Sequence, residues 1–154
     1  MGSKNSQKKT NDSVNKNENY EVDLTSIDKS VGKGKTVLVV DDDVDILPLI
    51  SHLLESASFK PITAESAKEA MAILDKGVIP DLLLTDINMP DMDGFELAMN
   101  LKEAKPNIGV VYMSVNSSSY YASYNVENKD EFLQKPFDLF ALVDALINAR
   151  VLTV

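Results

Sequence analysis

The chain has 154 residues, 44% of them hydrophobic, which suits one packed domain plus a tail. Its formal net charge of -9 argues against a nucleic-acid-binding face, because phosphate backbones demand a basic surface. With no cysteine and one histidine, His52, disulfides, thiol catalysis and Cys-based or multi-His metal sites are excluded, and no apolar run is long enough for a membrane span or a signal-peptide core, so a cytoplasmic chain with no membrane insertion is expected.

Residues 1–34 are rich in Lys, Asn and Ser and poor in large apolar side chains, the composition of a disordered tail or linker, and residues 35–154 are expected to form the domain. Residues 37–40 (Val-Leu-Val-Val) form a continuous β-branched run, the pattern of a strand buried on both faces. Residues 45–56 read as a helix with Ile46, Ile50, Leu53 and Leu54 on one face and Pro48 near its first turn, where a missing N–H costs little. Either Asp43 or Asp45 caps it. His52 falls on the opposite, solvated face. A weak strand at 61–64 follows. Ser66 and Glu69 then predict a capping box for a helix ending near Gly77. The third strand covers 81–85 and leads into Asp86, the third helix 95–104, and the fourth strand 108–113. Residues 117–128 are a poorly patterned helix or loop. Residues 132–134 are a fifth strand, and Asp138 caps a last helix running to about Ala149. Alternating strands and helices predict an α/β fold of (βα)5 type, a doubly wound parallel sheet covered on both faces.

The residues that follow the strands carry the chemistry. Asp41, Asp42 and Asp43 follow the first, Asp86 the third, Ser114 the fourth and Lys135 the fifth. In a doubly wound sheet these positions gather at one rim, where ligands bind. Two like charges ~4 Å apart cost about 1 kcal/mol in water and about 4 at an effective dielectric of 20. Such a pocket must therefore protonate or take up a cation. Oxygen ligands alone suit Mg²⁺, which keeps several waters and shares a phosphate oxygen, whereas zinc would want His or Cys. With an ammonium and a hydroxyl beside it, the pocket fits phosphoryl transfer to a carboxylate.

Four segments carry a family resemblance: Val-Leu-Val-Val-Asp-Asp-Asp (37–43), Leu-Leu-Thr-Asp-Ile-Asn-Met-Pro-Asp-Met-Asp-Gly (83–94), Tyr-Met-Ser (112–114) and Phe-Leu-Gln-Lys-Pro-Phe (132–137). In that order they resemble the response-regulator receiver domain of two-component signalling, over about residues 35–150. The resemblance implies a flavodoxin-like, five-stranded sheet in the order 2-1-3-4-5, the order of the chemotaxis response regulator. It also implies that Asp86 is the phosphoacceptor, supplied by a sensor histidine kinase or a histidine phosphotransfer protein. By the same resemblance Asp42 and Asp86 bind Mg²⁺ directly, Asn88 adds its backbone carbonyl, and Asp41 helps through water. Lys135 contacts the carboxylate and a phosphoryl oxygen, and the Lys135–Pro136 peptide is cis. Ser114 swings toward the phosphoryl group and Phe132 is the switch aromatic that fills the space it leaves. The output is a downstream protein target read by the face around strands four and five, which is also the family's usual surface for a phosphorylation-dependent dimer. Such a domain is a phosphoacceptor rather than an enzyme, with weak self-phosphorylation and self-dephosphorylation at most.

Two departures stand out. Val115 follows Ser114 where the family usually has Ala or Gly, so it is a candidate modulator of access to the phosphoryl entrance. Residues 116–130 lack the usual helical pattern. Blander readings compete for single residues: Asp41 to Asp43 as helix caps, Ser114 as a locally satisfied strand-end hydroxyl, Lys135 as a surface charge, Phe132 as plain core. Two rival functions are a Mg²⁺-dependent aspartyl-phosphate phosphatase and a pseudo-receiver that only binds protein. The first wants Asp-x-Asp-x-Thr/Val, but Asp45 stands at the last of those positions in 41–45. The intact Asp41, Asp42, Asp86, Ser114 and Lys135 argue against the second. The chain is expected to be either a stand-alone regulator or a receiver excised from a hybrid histidine kinase.

Overall fold

The computed structural model describes residues 28, 30–124, 126–127 and 129–151. The strands are β1 (Thr36–Val40), β2 (Lys60–Ala64), β3 (Leu82–Asp86), β4 (Gly109–Ser114) and β5 (Glu131–Gln134), and the helices α1 (Ile46–Ser56), α2 (Ala67–Asp75), α3 (Gly94–Ala104) and α4 (Leu139–Val151). All strand pairs are parallel and the order is β2-β1-β3-β4-β5.

Strand alternation divides the core in two. Val37 and Val39 of β1 join Leu82, Leu84, Val111, Met113 and Leu133 beneath α1 and α4. Leu38 and Val40 face the other way, with Leu83, Val110 and Tyr112 beneath α2 and α3. Both faces of β1, β3 and β4 are thus covered, which is why these strands are nearly unbroken apolar runs. β2 is an edge strand, half exposed, and tolerates Pro61 for that reason.

The helix ends follow local chemistry. Asp43 Oδ1 accepts from the Asp45 N–H (3.1 Å), while the Asp45 side chain makes no capping bond, so Asp43 tends the start of α1. Ser66 Oγ accepts from the Glu69 N–H (3.0 Å), but the Glu69 carboxylate reaches back to the N–H of Glu65 rather than of Ser66. Asp138 caps α4 through the Ala141 N–H (2.8 Å).

Two segments differ from the simplest pattern. Of the expected disordered tail, residues 1–27 and 29 lie outside the described residues, and residues 30–34 form turns against the body. Gly32 donates to the Ala57 carbonyl (3.0 Å), and Val31 packs on the α1–α4 core. Between β4 and β5 the described residues hold a single 3-10 turn (Ser118–Tyr121) where the other crossovers have an α-helix; of the helix or loop expected at 117–128, the loop form is the one present. The reason is the run Ser117-Ser118-Ser119, whose hydroxyls compete for the backbone and which offers no apolar face for a helix to bury. The chain before β5 is instead held by ion pairs, with Lys102 of α3 reaching Asp130 (2.7 Å) and Glu127 (3.4 Å).

Candidate phosphoryl and metal site

Strand register sets the rim. Val40 pairs with Thr85, so Asp41 and Asp86 come next on neighbouring strands. Asp86 pairs with Met113 and Ser114 with Gln134, so Ser114 and Lys135 follow at the same edge. Lys135 also donates its N–H to the Ser114 carbonyl (2.8 Å). The Lys135–Pro136 peptide bond is cis.

Asp86 sits on a tightly fitted backbone. Its carbonyl accepts from the Thr85 hydroxyl (2.9 Å). The first residue of α3, Gly94, lies against that same carbonyl, and a Cβ on Gly94 would collide with it. Asp93 has extended backbone and caps α3 through the Glu96 N–H (2.9 Å). Asp91 adopts a left-handed φ of 67°, which an Asp tolerates better than most residues. The stretch from Asp86 to Gly94 is thus a turn that lets α3 start on top of the strand end.

The side chains at the rim have unbalanced charge. Asp41 is fully buried, Asp86 nearly so and Asp42 exposed, and ligand oxygens from all three lie within 4.8 Å of one another. Lys135 Nζ is 2.7 Å from Asp41 Oδ2 and 3.7 Å from Asp86 Oδ1. Its direct hydrogen bond therefore goes to Asp41 and not to the expected phosphoacceptor. Asp41 Oδ1 is also engaged, by the Asp43 N–H (3.0 Å). Burial pushes the Asp86 carboxyl up to about 6; Lys135 opposes this, while Asp41 and Asp42 add to it. A cluster of hard oxygens that holds one of its members partly protonated near neutrality fits a small divalent cation such as Mg²⁺.

The remaining expected residues fall around this cluster. Ser114 is buried at the end of β4. Asn88 is exposed, and its amide donates to the Tyr121 hydroxyl (3.2 Å). Phe132 is half buried, with its ring centroid 5.4 Å from that of Tyr112. Val115 is 69% exposed and lines an apolar groove with Ile46, Leu49, Leu53, Lys135, Pro136 and Phe137. His52 is exposed on α1.

Sequence reasoning missed Tyr121. Its hydroxyl stands 2.8 Å from Ser114 Oγ and its ring is buried. The neighbouring Tyr120 is mostly exposed. Two adjacent tyrosines in an unpatterned polar run give no period by which to tell which one turns inward.

A family model described as the response regulator receiver domain matches residues 37–147. Among curated proteins, the response regulator SaeR of Staphylococcus aureus is 29% identical over 108 residues, which cover 70% of this chain and 46% of SaeR. The chain thus spans about half the length of the curated relatives it matches. Among solved structures, a receiver protein from Sinorhizobium medicae is 28% identical with a TM-score of 0.71, covering 78% of this chain and 97% of that one. The response regulator TrrA of Thermotoga maritima, solved in complex with Mg²⁺-BeF, is 28% identical with a TM-score of 0.66, covering 75% and 98%. Vibrio cholerae chemotaxis protein CheY4 is 26% identical with a TM-score of 0.65, again covering 75% and 98%.

Proposed function

The chain belongs to the response regulator receiver domain family, and from that premise we propose that Asp86 accepts a phosphoryl group from the phosphohistidine of a sensor histidine kinase or histidine phosphotransfer protein. The observation that carries this is the charge of the rim. Three carboxylates converge within 4.8 Å, and the ammonium beside them hydrogen-bonds Asp41, leaving Asp86 free of a direct hydrogen bond from it.

In the reaction an Asp86 oxygen attacks phosphorus in line with the P–N bond. The new P–O bond gives an acyl phosphate, and the imidazole leaves with the P–N electron pair. Asp42, Asp86 and the Asn88 backbone carbonyl would hold Mg²⁺, with Asp41 supporting it through water, and the ion would neutralise phosphoryl oxygens. Lys135, already 3.7 Å from Asp86, is within reach of a phosphoryl oxygen by a small side-chain movement. Ser114, buried at the end of β4, would donate a hydrogen bond to the phosphoryl group.

The apolar groove between α1 and the residues after β5 opens beside this rim, with Leu49 and Val115 exposed on it. It is the surface on which the phosphohistidine-bearing partner would rest. The signal would leave through the face around β4 and β5, toward a downstream protein or a second copy of the chain in a phosphorylation-dependent dimer. The acidic composition is unlike that of a nucleic-acid-binding face, and among the described residues no helix is long and apolar enough to cross a membrane; a cytoplasmic location for the chain is part of the proposal.

The test is to incubate the chain with a radiolabelled phosphohistidine donor and Mg²⁺, then map the labelled aspartate after borohydride reduction. Label on Asp86, lost in Asp86→Asn, is expected. Label on Asp41 would overturn the reading in favour of an aspartyl-phosphate hydrolase. No label, with no response to beryllofluoride and Mg²⁺, would leave a pure binding module.

A further inference from the structure

Tyr121 joins the rim to an aromatic cluster on the α2–α3 side of the sheet. Its ring stacks on Phe132 (centroids 6.0 Å, 17° between planes) and meets Phe95 edge-on (5.5 Å) and Tyr124 edge-on (5.6 Å). Its hydroxyl lies 2.8 Å from Ser114 Oγ. Two side-chain amides donate to that hydroxyl, Asn88 Nδ2 at 3.2 Å and Asn116 Nδ2 at 3.4 Å.

A phenol oxygen offers one proton and accepts two hydrogen bonds at most. With both amides aimed at it, Tyr121 has only its proton to give to Ser114. Ser114 Oγ then accepts a hydrogen bond from the Tyr121 hydroxyl and another from the Asn116 N–H (3.1 Å). Both of its acceptor positions are taken, and its own hydroxyl hydrogen is left to donate. Ser114 follows Met113, the residue paired with Asp86, so this hydroxyl ends its strand next to Asp86 with its hydrogen available to an anion carried there.

We propose that Tyr121 is a positioning residue that fixes Ser114 as a hydrogen-bond donor toward a phosphoryl group on Asp86 and passes the presence of that group to the aromatic cluster. The proposal rests on the reading of Asp86 as phosphoacceptor. A hydroxyl that donates to an anion becomes a better acceptor, so the bond from Tyr121 tightens when the anion is present. Tyr121 closes a four-residue 3-10 turn and not a long packed helix, so this pull moves the turn and the ring stacked on Phe132. Tyr121 touches both Ser114 and Phe132, the first through its hydroxyl and the second through its ring.

The experiment measures beryllofluoride affinity of the full chain by calorimetry at saturating Mg²⁺. The proteins are wild type, Tyr121→Phe, Ser114→Ala and the double variant, with Tyr120→Phe as a control on an exposed neighbour. Tyr121→Phe keeps the ring and removes one hydrogen-bonding group, so its loss is expected to be about five- to tenfold. The double variant is expected to bind no more weakly than Ser114→Ala, because Tyr121 acts through that hydroxyl. Wild-type affinity in Tyr121→Phe, or losses that add in full in the double variant, would overturn the proposal while leaving the phosphoacceptor reading intact. If the wild type binds no beryllofluoride, the phosphoacceptor reading fails and the proposal falls with it.

Discussion

Lys135 donates to Asp41 at 2.7 Å, across a separation of 94 residues in sequence, and so ties the end of β5 to the end of β1 over the intervening strand ends. Asp41 is fully buried, so this ammonium compensates a carboxylate that water does not reach. Lys135→Ala is therefore expected to cost about 3 kcal/mol, the penalty for leaving a buried charge alone. Adding Asp41→Asn should recover most of it, since the remaining group is neutral. Urea denaturation in EDTA reads both, and an unchanged midpoint in Lys135→Ala would count against the pair.

Asp86 gives a pH dependence of defined sign. Its carboxyl is raised from 3.8 to about 6, chiefly by burial, so the folded state holds a proton that the unfolded state has lost. The cost of ionising it is absent below about pH 4, grows between about 4 and 6, and is complete above that. Two units correspond to roughly 3 kcal/mol. In EDTA, Asp86→Asn should melt above wild type at pH 7.5, with the gap closing as the pH falls toward 4. Mg²⁺ should stabilise wild type more at pH 7.5 than at pH 5, because it competes with that proton. A gap independent of pH would show that Asp86 is not strained by ionisation.

Gly94 has no room for a side chain. A Cβ there meets the Asp86 carbonyl, which is backbone and cannot rotate away. Gly94→Ala is expected to destabilise by about 1–3 kcal/mol, the usual cost of overpacking, and to shift Asp86 from its place on the rim. Denaturant midpoints check the first effect. Loss of the Mg²⁺-induced rise in melting temperature checks the second.

The groove beside the rim separates protein donors from small ones. Leu49 is 66% exposed on α1, so Leu49→Asp should leave the fold intact while slowing phosphotransfer from a phosphohistidine protein. Its rate with acetyl phosphate should not change. Val115→Ala removes bulk next to Ser114 and should speed the small donor instead. Rates measured with both donors decide; equal slowing by Leu49→Asp with each would remove the groove from the docking surface.

Much of this molecule was legible in the chain. Unbroken apolar runs at β1, β3 and β4 announced strands buried on both faces, and the residues after them had to meet at one rim because parallel strands end together. The helix caps at Ser66 and Asp138 are local chemistry and were readable as such. The strand order came from resemblance, since alternation alone does not say which neighbours pair. Tertiary structure decided what local pattern leaves free. Lys135 chose Asp41 over Asp86 as its hydrogen-bond partner, Val115 turned outward onto α1, and Tyr121 rather than Tyr120 turned in to meet Ser114. Sequence fixes periodicity and backbone preference within a few residues, whereas each of these choices depends on distances across strands that only packing sets.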